Sequence, residues 1–396
     1  MEYVRLGDFC EITSSKRVYA HQYTSDGVPF YRSREIIERR EHKDITEELY
    51  ISLALYNTFK QKFGAPQKGD VLLTSVGTLG IPYLVGDEVF YFKDGNLTWM
   101  RNFNEMLLSK YLFYWFNSKF GKVSLITKAI GSSQAALTID ILKKHKIFLP
   151  SINVQQAIIS ILSGYDDLIE NNNKRIQILE KMAENLYKEW FVRFRFPGHE
   201  RVEFKKQTPN GWELSTKTSD MVCPATWRYD QFCILNKFKR GKNITAEQML
   251  GGEVPVISAG IEPSGYHNTY NIHGQSITVS SSGANAGYLQ YHLSSIWAAD
   301  CSYCQDDDKL WFLFNGLKFL QPVIRNMQVG AAQPHVYPKH INKMNTIIPD
   351  ESTVREYCAL VEPLYNQIKL LKHKNQNLIK QRELLLPRLM NGSLEI

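Results

Sequence analysis

The sequence predicts an α+β chain: two mixed α/β globular domains held apart by an antiparallel two-helix coiled-coil spacer, with a pseudo-two-fold internal repeat. Three observations predict it. Short motifs recur in the same order in two parts of the chain. Each set is followed by a long stretch of helical texture. In both stretches apolar residues return at alternating steps of four and three, the period of a coiled-coil seam. The chain has 396 residues, 43% of them hydrophobic, a length that suits two domains or three with real cores.

Five pairs of motifs make the repeat. Asp8-Phe9-Cys10-Glu11-Ile12 is echoed by Gln231-Phe232-Cys233-Ile234-Leu235, and Gly27-Val28-Pro29-Phe30 by Glu253-Val254-Pro255-Val256. Residues 69–77 are echoed by 274–283. Gly131-Ser132-Ser133-Gln134 is echoed by Gly330-Ala331-Ala332-Gln333, and Ile147-Phe148-Leu149-Pro150 by Ile347-Ile348-Pro349. Gly131 and Gly330 are 199 residues apart, as are Pro150 and Pro349. Val71-Leu72-Leu73 and Ser276-Ile277-Thr278-Val279 read as short strands, with Gly77, Gly80, Gly283 and Gly287 at tight turns beside them. Residues 111–116 and 309–320 read as buried helices late in each repeat.

Between residues 153 and 194 there is no proline, and Gly164 is the only glycine. The seam there is Ile158, Leu162, Tyr165, Ile169, Asn172, Ile176, Leu179, Ala183, Leu186 and Trp190. From 352 to 390 it is Val354, Tyr357, Val361, Leu364, Ile368, Leu371, Asn375, Leu378, Arg382, Leu385 and Leu389. Each helix follows a proline, Pro150 or Pro349, which suits a strand-to-helix boundary. Pro363 is expected to kink the second helix or to set a later start. Each seam holds one asparagine. If Asn172 faces Asn375 antiparallel, Ile158 meets Leu389, Ile176 meets Leu371 and Trp190 meets Tyr357, all apolar pairs. A buried Asn pair would fix that register. The domains are then 1–150, a helix over 151–196, a linker and second domain over 197–348, and a second helix over 349–396. The alternative is that each helix packs only on its own globular domain.

Composition narrows the function. Lys plus Arg is 47 against 40 acidic residues, a formal charge of +7, which permits a polyanionic partner without requiring one. No apolar run approaches a membrane span of about 18 residues, so no membrane partner is expected. Residues 1–9 carry Glu2, Arg5 and Asp8 where a secretion signal needs an apolar stretch. Six cysteines in so long a chain suit a reducing cytoplasm. There is no phosphate-binding G-x-x-x-x-G-K-[S/T] run, no Asn-Pro-Pro-aromatic motif and no G-x-G-x-x-G turn. Cys301-Ser302-Tyr303-Cys304 lacks a second ligand pair, so it reads as two small semi-buried residues and no metal is assigned. Glu203-Phe204-Lys205 is half of a nuclease-like motif lying in the linker. No catalytic residue is assigned.

Double-stranded DNA is the better-supported partner. Lys16, Arg17, Arg32 and Arg34 stand early in the first repeat, and Lys237, Lys239, Arg240 and Lys242 at the matching place in the second. Such cations release phosphate counterions, and arginine can read guanine edges. Ser75, Thr78, Ser132, Ser133 and Gln134, with Ser281, Ser282, Asn285 and Gln333, lie in glycine-flanked loops as candidate donors to phosphate or base.

The pattern resembles the specificity (S) subunit of type I restriction–modification enzymes. The resemblance is carried by Leu149-Pro150-Ser151-Ile152-Asn153-Val154-Gln155-Gln156-Ala157-Ile158, by Leu168-Ile169-Glu170-Asn171-Asn172-Asn173 and by Leu186-Tyr187-Lys188-Glu189-Trp190-Phe191-Val192. These are similar to the family's central conserved helix. Thr208-Pro209-Asn210-Gly211-Trp212 and the stretch from Gln381 to Gly392 also match it. The resemblance implies two target-recognition domains, each reading half of a bipartite asymmetric DNA site across a gap set by the spacer. It implies two modification (M) subunits supplying S-adenosylmethionine, and restriction (R) subunits adding ATP- and Mg-dependent cleavage, with no cofactor in this chain. Ala331-Ala332 lack the hydroxyls of Ser132-Ser133, a departure between the repeats. The first seam covers about 50 Å at about 1.5 Å per residue. That suits half-sites one duplex turn apart, on the order of 34–36 Å. A protein-binding coiled-coil scaffold and a stand-alone DNA-binding nuclease remain as alternatives.

Overall fold

The computed structural model describes residues 2–40, 45, 47–130, 135–207, 221–330 and 334–394. It divides into two units: Met1–Asn171 with Asn375–Ile396, and Asn172–Lys374. Each unit joins one globular part to one half of each long helix.

The first unit opens with β1 (Glu2–Arg5), β2 (Glu11–Thr13), β3 (Tyr23–Thr24) and β4 (Val28–Tyr31). Helix α1 (Ser33–Arg40), β5 (Tyr50–Ile51) and α2 (Leu53–Phe63) follow. Then come β6 (Val71–Thr74), β7 (Pro82–Leu84), β8 (Tyr91–Phe92) and β9 (Leu97–Arg101). Helices α3 (Ser109–Asn117), α4 (Lys119–Ile126) and α5 (Ile139–Lys144) lead to β10 (Lys146–Leu149) and the long α6 (Ile152–Tyr187). Strand β6 is central in a sheet of order β2-β9-β6-β7. It is apolar on both faces because both are covered: Val71 and Leu73 enter the core around α3, while Leu72 packs with Trp99 and Phe92. Strand β1 pairs antiparallel with β10, so the start of the unit is tied to the strand that feeds α6. Side-chain caps fix the helix starts: Ser52 accepts from the Leu55 amide, Ser118 from Gly121 and Thr138 from Ile141. Gly121 is required there, because a Cβ would lie 2.1 Å from the Trp115 carbonyl oxygen.

The second unit repeats this plan. After β11 (Phe204–Gln207) and β12 (Met221–Pro224) come β13 (Arg228–Gln231), β14 (Lys239–Arg240), β15 (Val254–Ile257) and β16 (Gly265–His267). Next are β17 (Ser276–Ser280), β18 (Leu289–His292), β19 (Trp297–Ala298) and β20 (Cys301–Cys304). Helices α7 (Leu310–Phe319), α8 (Gln321–Asn326) and α9 (Pro338–Asn342), β21 (Asn345–Ile348) and the long α10 (Glu351–Met390) complete it. The sheet β14-β20-β17-β18 matches β2-β9-β6-β7 strand for strand. The β13–β21 pair matches β1–β10, and the parallel pair β15–β19 matches β4–β8. Helices α6 and α10 begin at Ile152 and Glu351, again 199 residues apart.

Within each unit the long helices run antiparallel. In the first, Ile158 and Leu162 share a core with Leu386, Leu389 and Met390, and Leu385 packs on it. In the second, Ile176 and Ala183 of α6, and Trp190 on the π-helical turn Lys188–Val192 that continues it, share one with Tyr357, Val361, Ile368 and Leu371, with Leu179 and Leu186 against it. The Tyr357 hydroxyl donates to the Ala183 carbonyl at 2.9 Å, and the Trp190 and Tyr357 rings lie 5.8 Å apart. Asn375 is buried, while Ile169, Asn172 and Leu378 are half-buried. Pro363 does not delay the start of α10, one of the two outcomes expected of it: the helix runs from Glu351 to Met390. Its ring lies on an exposed face, where the hydrogen bond it cannot donate is not one that secures the core. Among the described residues no helix is long and apolar enough to cross a membrane.

Candidate nucleic-acid interface

Two turns, one per unit, are built alike. Beyond β6 the chain passes Ser75, Val76, Gly77 and Thr78 and closes with the Gly80 amide donating to the Thr74 carbonyl at 2.8 Å. Beyond β17 it passes Ser281, Ser282 and Gly283 and closes with the Gly287 amide on the Ser280 carbonyl at 2.8 Å. Gly77 and Gly283 have φ of +78° and +75°, a left-handed conformation that favours glycine. A second segment is strapped to each turn. Leu137 donates to the Ser75 carbonyl at 2.9 Å, and Val336 to that of Ser281 at 3.0 Å. Ala136 bridges Val76 and Ile130, and His335 bridges Ser282 and Val329. The structure thus brings the turn carrying Thr78 beside the ends of the segment carrying Ser132, Ser133 and Gln134. It does the same in the second unit for the segment carrying Gln333. Those four residues themselves lie outside the described residues.

A residue the sequence reading missed anchors each turn from below. The Ser75 amide donates to the Asn96 carbonyl at 2.8 Å, and the Ser281 amide to the Asp300 carbonyl at 3.3 Å. Asn96 immediately precedes β9 and Asp300 immediately precedes β20, so they are matching positions. The Ser33 hydroxyl also donates to the Asn96 carbonyl, at 3.2 Å, which sets the start of α1 next to the first turn. In the second unit the Asp300 carboxylate takes both the Arg240 guanidinium and the Ser282 hydroxyl. The available signal was positional: each stands one residue before an inner strand of its sheet.

Several proposed DNA contacts are corrected. Ser75 is 3% exposed, and its hydroxyl pairs with that of Thr98 at 2.5 Å, so its side chain holds the sheet rather than facing solvent. Ser281 is 0% exposed, and Ser282 is also buried and turned to Asp300. Arg32 is spent on an internal network, at 2.5 Å from the buried Glu35 and 2.9 Å from Glu47. Glu35 has no exposure, and its charge needs that guanidinium.

The remaining cations stay at the surface. Arg17 pairs with Asp94 at 2.9 Å and Arg34 with Glu38 at 3.1 Å, both exposed pairs that a polyanion can compete for. Lys16, Thr78, Lys237, Lys239 and Lys242 are exposed, and Asn285 is half-buried within the second turn. Cys301 and Cys304 are both buried on β20 and face different cores. Burial pushes the Cys301 thiol up to about 12 and raises that of Cys304 as well, which disfavours the thiolate. Among the described residues no group of three or more His, Cys, Asp or Glu is placed to hold a metal ion. The half-motif Glu203-Phe204-Lys205 runs into β11, a strand in a two-stranded ribbon.

Two turns strapped in the same way, one in each unit and each on a sheet of the same strand order, define a chain of two like domains. The chain belongs to the type I restriction modification DNA specificity domain family, whose model matches residues 1–181 and 230–381. It is 27% identical over 363 residues to the type I restriction enzyme MjaIX specificity subunit of Methanocaldococcus jannaschii, covering 83% of this chain and 78% of that one. It is 30% identical over 185 residues to a Haemophilus influenzae protein named as a type I restriction enzyme specificity subunit. That match covers 46% of this chain and 45% of the relative, so the chain spans less than half of that relative's length. In fold it resembles the crystal structure of a type I restriction–modification S subunit from M. genitalium. The TM-score is 0.56 at 18% identity, over 98% of this chain and 96% of that chain.

Proposed function

We propose that this chain is the non-catalytic DNA-reading subunit of a cytoplasmic type I restriction–modification complex. Each unit reads one half of a bipartite, asymmetric site in double-stranded DNA. The long helices set the gap between the halves and dock two modification (M) subunits, with restriction (R) subunits completing the assembly. S-adenosylmethionine, ATP and Mg are assigned to those partners.

The observation that carries this reading is the duplicated turn, strapped to a second loop in the same way in both units. Two loops held together at the end of a sheet form a surface that can follow a groove, and lysines and arginines of the same unit supply the phosphate contacts. The unlike side chains on the two turns, Thr78 against Asn285, suit two different half-sites.

The test is selection of bound duplexes from a randomised pool by the chain assembled with its modification partner, at two salt concentrations. Enrichment of two short motifs at a fixed separation, with total binding falling as salt rises, is expected. Binding with no sequence preference, or none at all, would support a protein-binding scaffold instead.

A further inference from the structure

We infer that two tyrosine–carboxylate–cation triads, Tyr114–Asp166–Arg382 and Tyr291–Glu180–Lys372, are the positioning residues that set which gap between half-sites the protein accepts. The inference rests on the bipartite reading proposed above.

In the first unit, Tyr114 belongs to α3 of the globular part and is 3% exposed. Its hydroxyl donates to Asp166 Oδ2 at 2.6 Å. Asp166 lies on α6, and its other oxygen accepts from Arg382 of α10 at 2.5 Å. One carboxylate therefore joins the globular part to both long helices.

In the second unit the tyrosine is the joint. Tyr291, on β18, donates to Glu180 of α6. It accepts from Lys372 Nζ of α10 at 2.7 Å, and that ammonium lies 4.1 Å from the ring centroid. Burial, reinforced by Glu180, raises the Tyr291 phenol, which stays a neutral donor at any ordinary pH.

These triads are not copies of one another. The repeat places Leu313 where the first unit has Tyr114, at the same offset of 199 residues. Strand pairing places Leu84 opposite Val71, just as Tyr291 stands opposite Ile277. A leucine thus serves the same core in the other repeat, so packing alone does not call for a tyrosine. Apolar contacts between a sheet and a helix tolerate sliding and rotation, whereas a charge-assisted hydrogen bond weakens steeply with distance and angle. Each triad therefore helps to fix the angle at which a reading domain stands on its own helix segments, beside the Gln155 bonds to Leu108 and Met106 in the first unit and the Asn315–Tyr365 bond in the second. A cleft of about 550 Å³ lies beside the second triad, walled by Glu180, Tyr291 and Lys372 with Gln177, Glu184 and Phe314.

The test uses the chain assembled with its modification partner and duplexes that keep both half-sites while the gap varies by one and two base pairs. Tyr114→Phe and Tyr291→Phe keep the ring and remove the hydroxyl. The expected result is a loss of about tenfold in discrimination against gaps one base pair too long or short, the size of one charged hydrogen bond. Binding to the native gap and the identity of both half-sites should change little. Asp166→Asn, which keeps the shape of the acid, should relax the gap in the same way. Unchanged gap discrimination in all three variants, with only a lower melting temperature, would reduce the triads to structural contacts and overturn the inference. Altered half-site preference at an unchanged gap would also overturn it. A wild-type complex with no gap preference would instead sink the bipartite reading itself.

Discussion

Ser75 and Ser281 occupy the same point of the two repeats, and both turn their side chains away from solvent. Glycine-flanked serines read alike in a sequence whether they face a ligand or a sheet. What separates the cases is whether the strand ahead has buried neighbours on both faces, as β6 and β17 have. Ser75→Ala should therefore cost about 1 kcal/mol of stability, the usual worth of a buried hydrogen bond, and leave DNA affinity near wild type. Asp300→Ala should do the opposite. It frees Arg240 and Ser282, and should weaken binding about tenfold while blurring only the half-site read by the second unit. Selection from randomised duplexes and thermal melting read both outcomes.

Two histidines give a pH dependence at the same scale. Burial lowers both His145, packed on Trp115 in the first unit, and His292, bonded to Thr278 in the second, to about 4. The fold holds the neutral ring, and the folded pKa lies below the unfolded value of about 6.5. Their contribution is therefore complete above about 6.5 and is lost as pH falls toward about 4. Each histidine can cost up to about 3 kcal/mol over that interval. His145→Phe keeps the aromatic contact and removes the titration. Melting temperature should then fall less steeply between pH 6.5 and 4 than in the wild type, and an equal slope would exclude the assignment.

At the scale of elements, periodicity and punctuation make most of the architecture legible. The seam residues, the prolines ahead of α6 and α10, and the glycines at the two turns all mark elements that form. Pro363 shows the limit of that reading. A proline is a local signal, while α10 is held along its length by Tyr357, Val361, Tyr365 and Ile368 in the core of the second unit. The lost rung is outweighed because Pro363 faces away from that core. Pro363→Ala should restore the hydrogen bond and stabilise the chain by roughly 1 to 3 kcal/mol, seen as a higher melting temperature. A lower one would mean that the proline shapes the helix in a way the fold needs. Long-range polar pairing was not legible. Tyr114 and Asp166 are 52 residues apart, and Asp166 and Arg382 are 216 apart, so no window of sequence contains either pair. Arg32, the residue just ahead of α1, and Glu35 in its first turn are three apart and within reach of a local reading.

For the whole molecule, the proposed roles rest on the duplication rather than on any single residue. A glycine turn after a serine says little alone, whereas here two are strapped alike at matching positions of the two units. The unlike residues around them are what two different half-sites require, and the shared scaffold is what a common partner requires. The measurement that tests this most directly is a genome-wide map of methylated bases in cells expressing the modification partner, with and without this chain. The account predicts one bipartite, asymmetric motif with a constant gap that disappears when the chain is omitted. An assembled, active complex that methylates no defined motif, or a motif that persists without the chain, would contradict it.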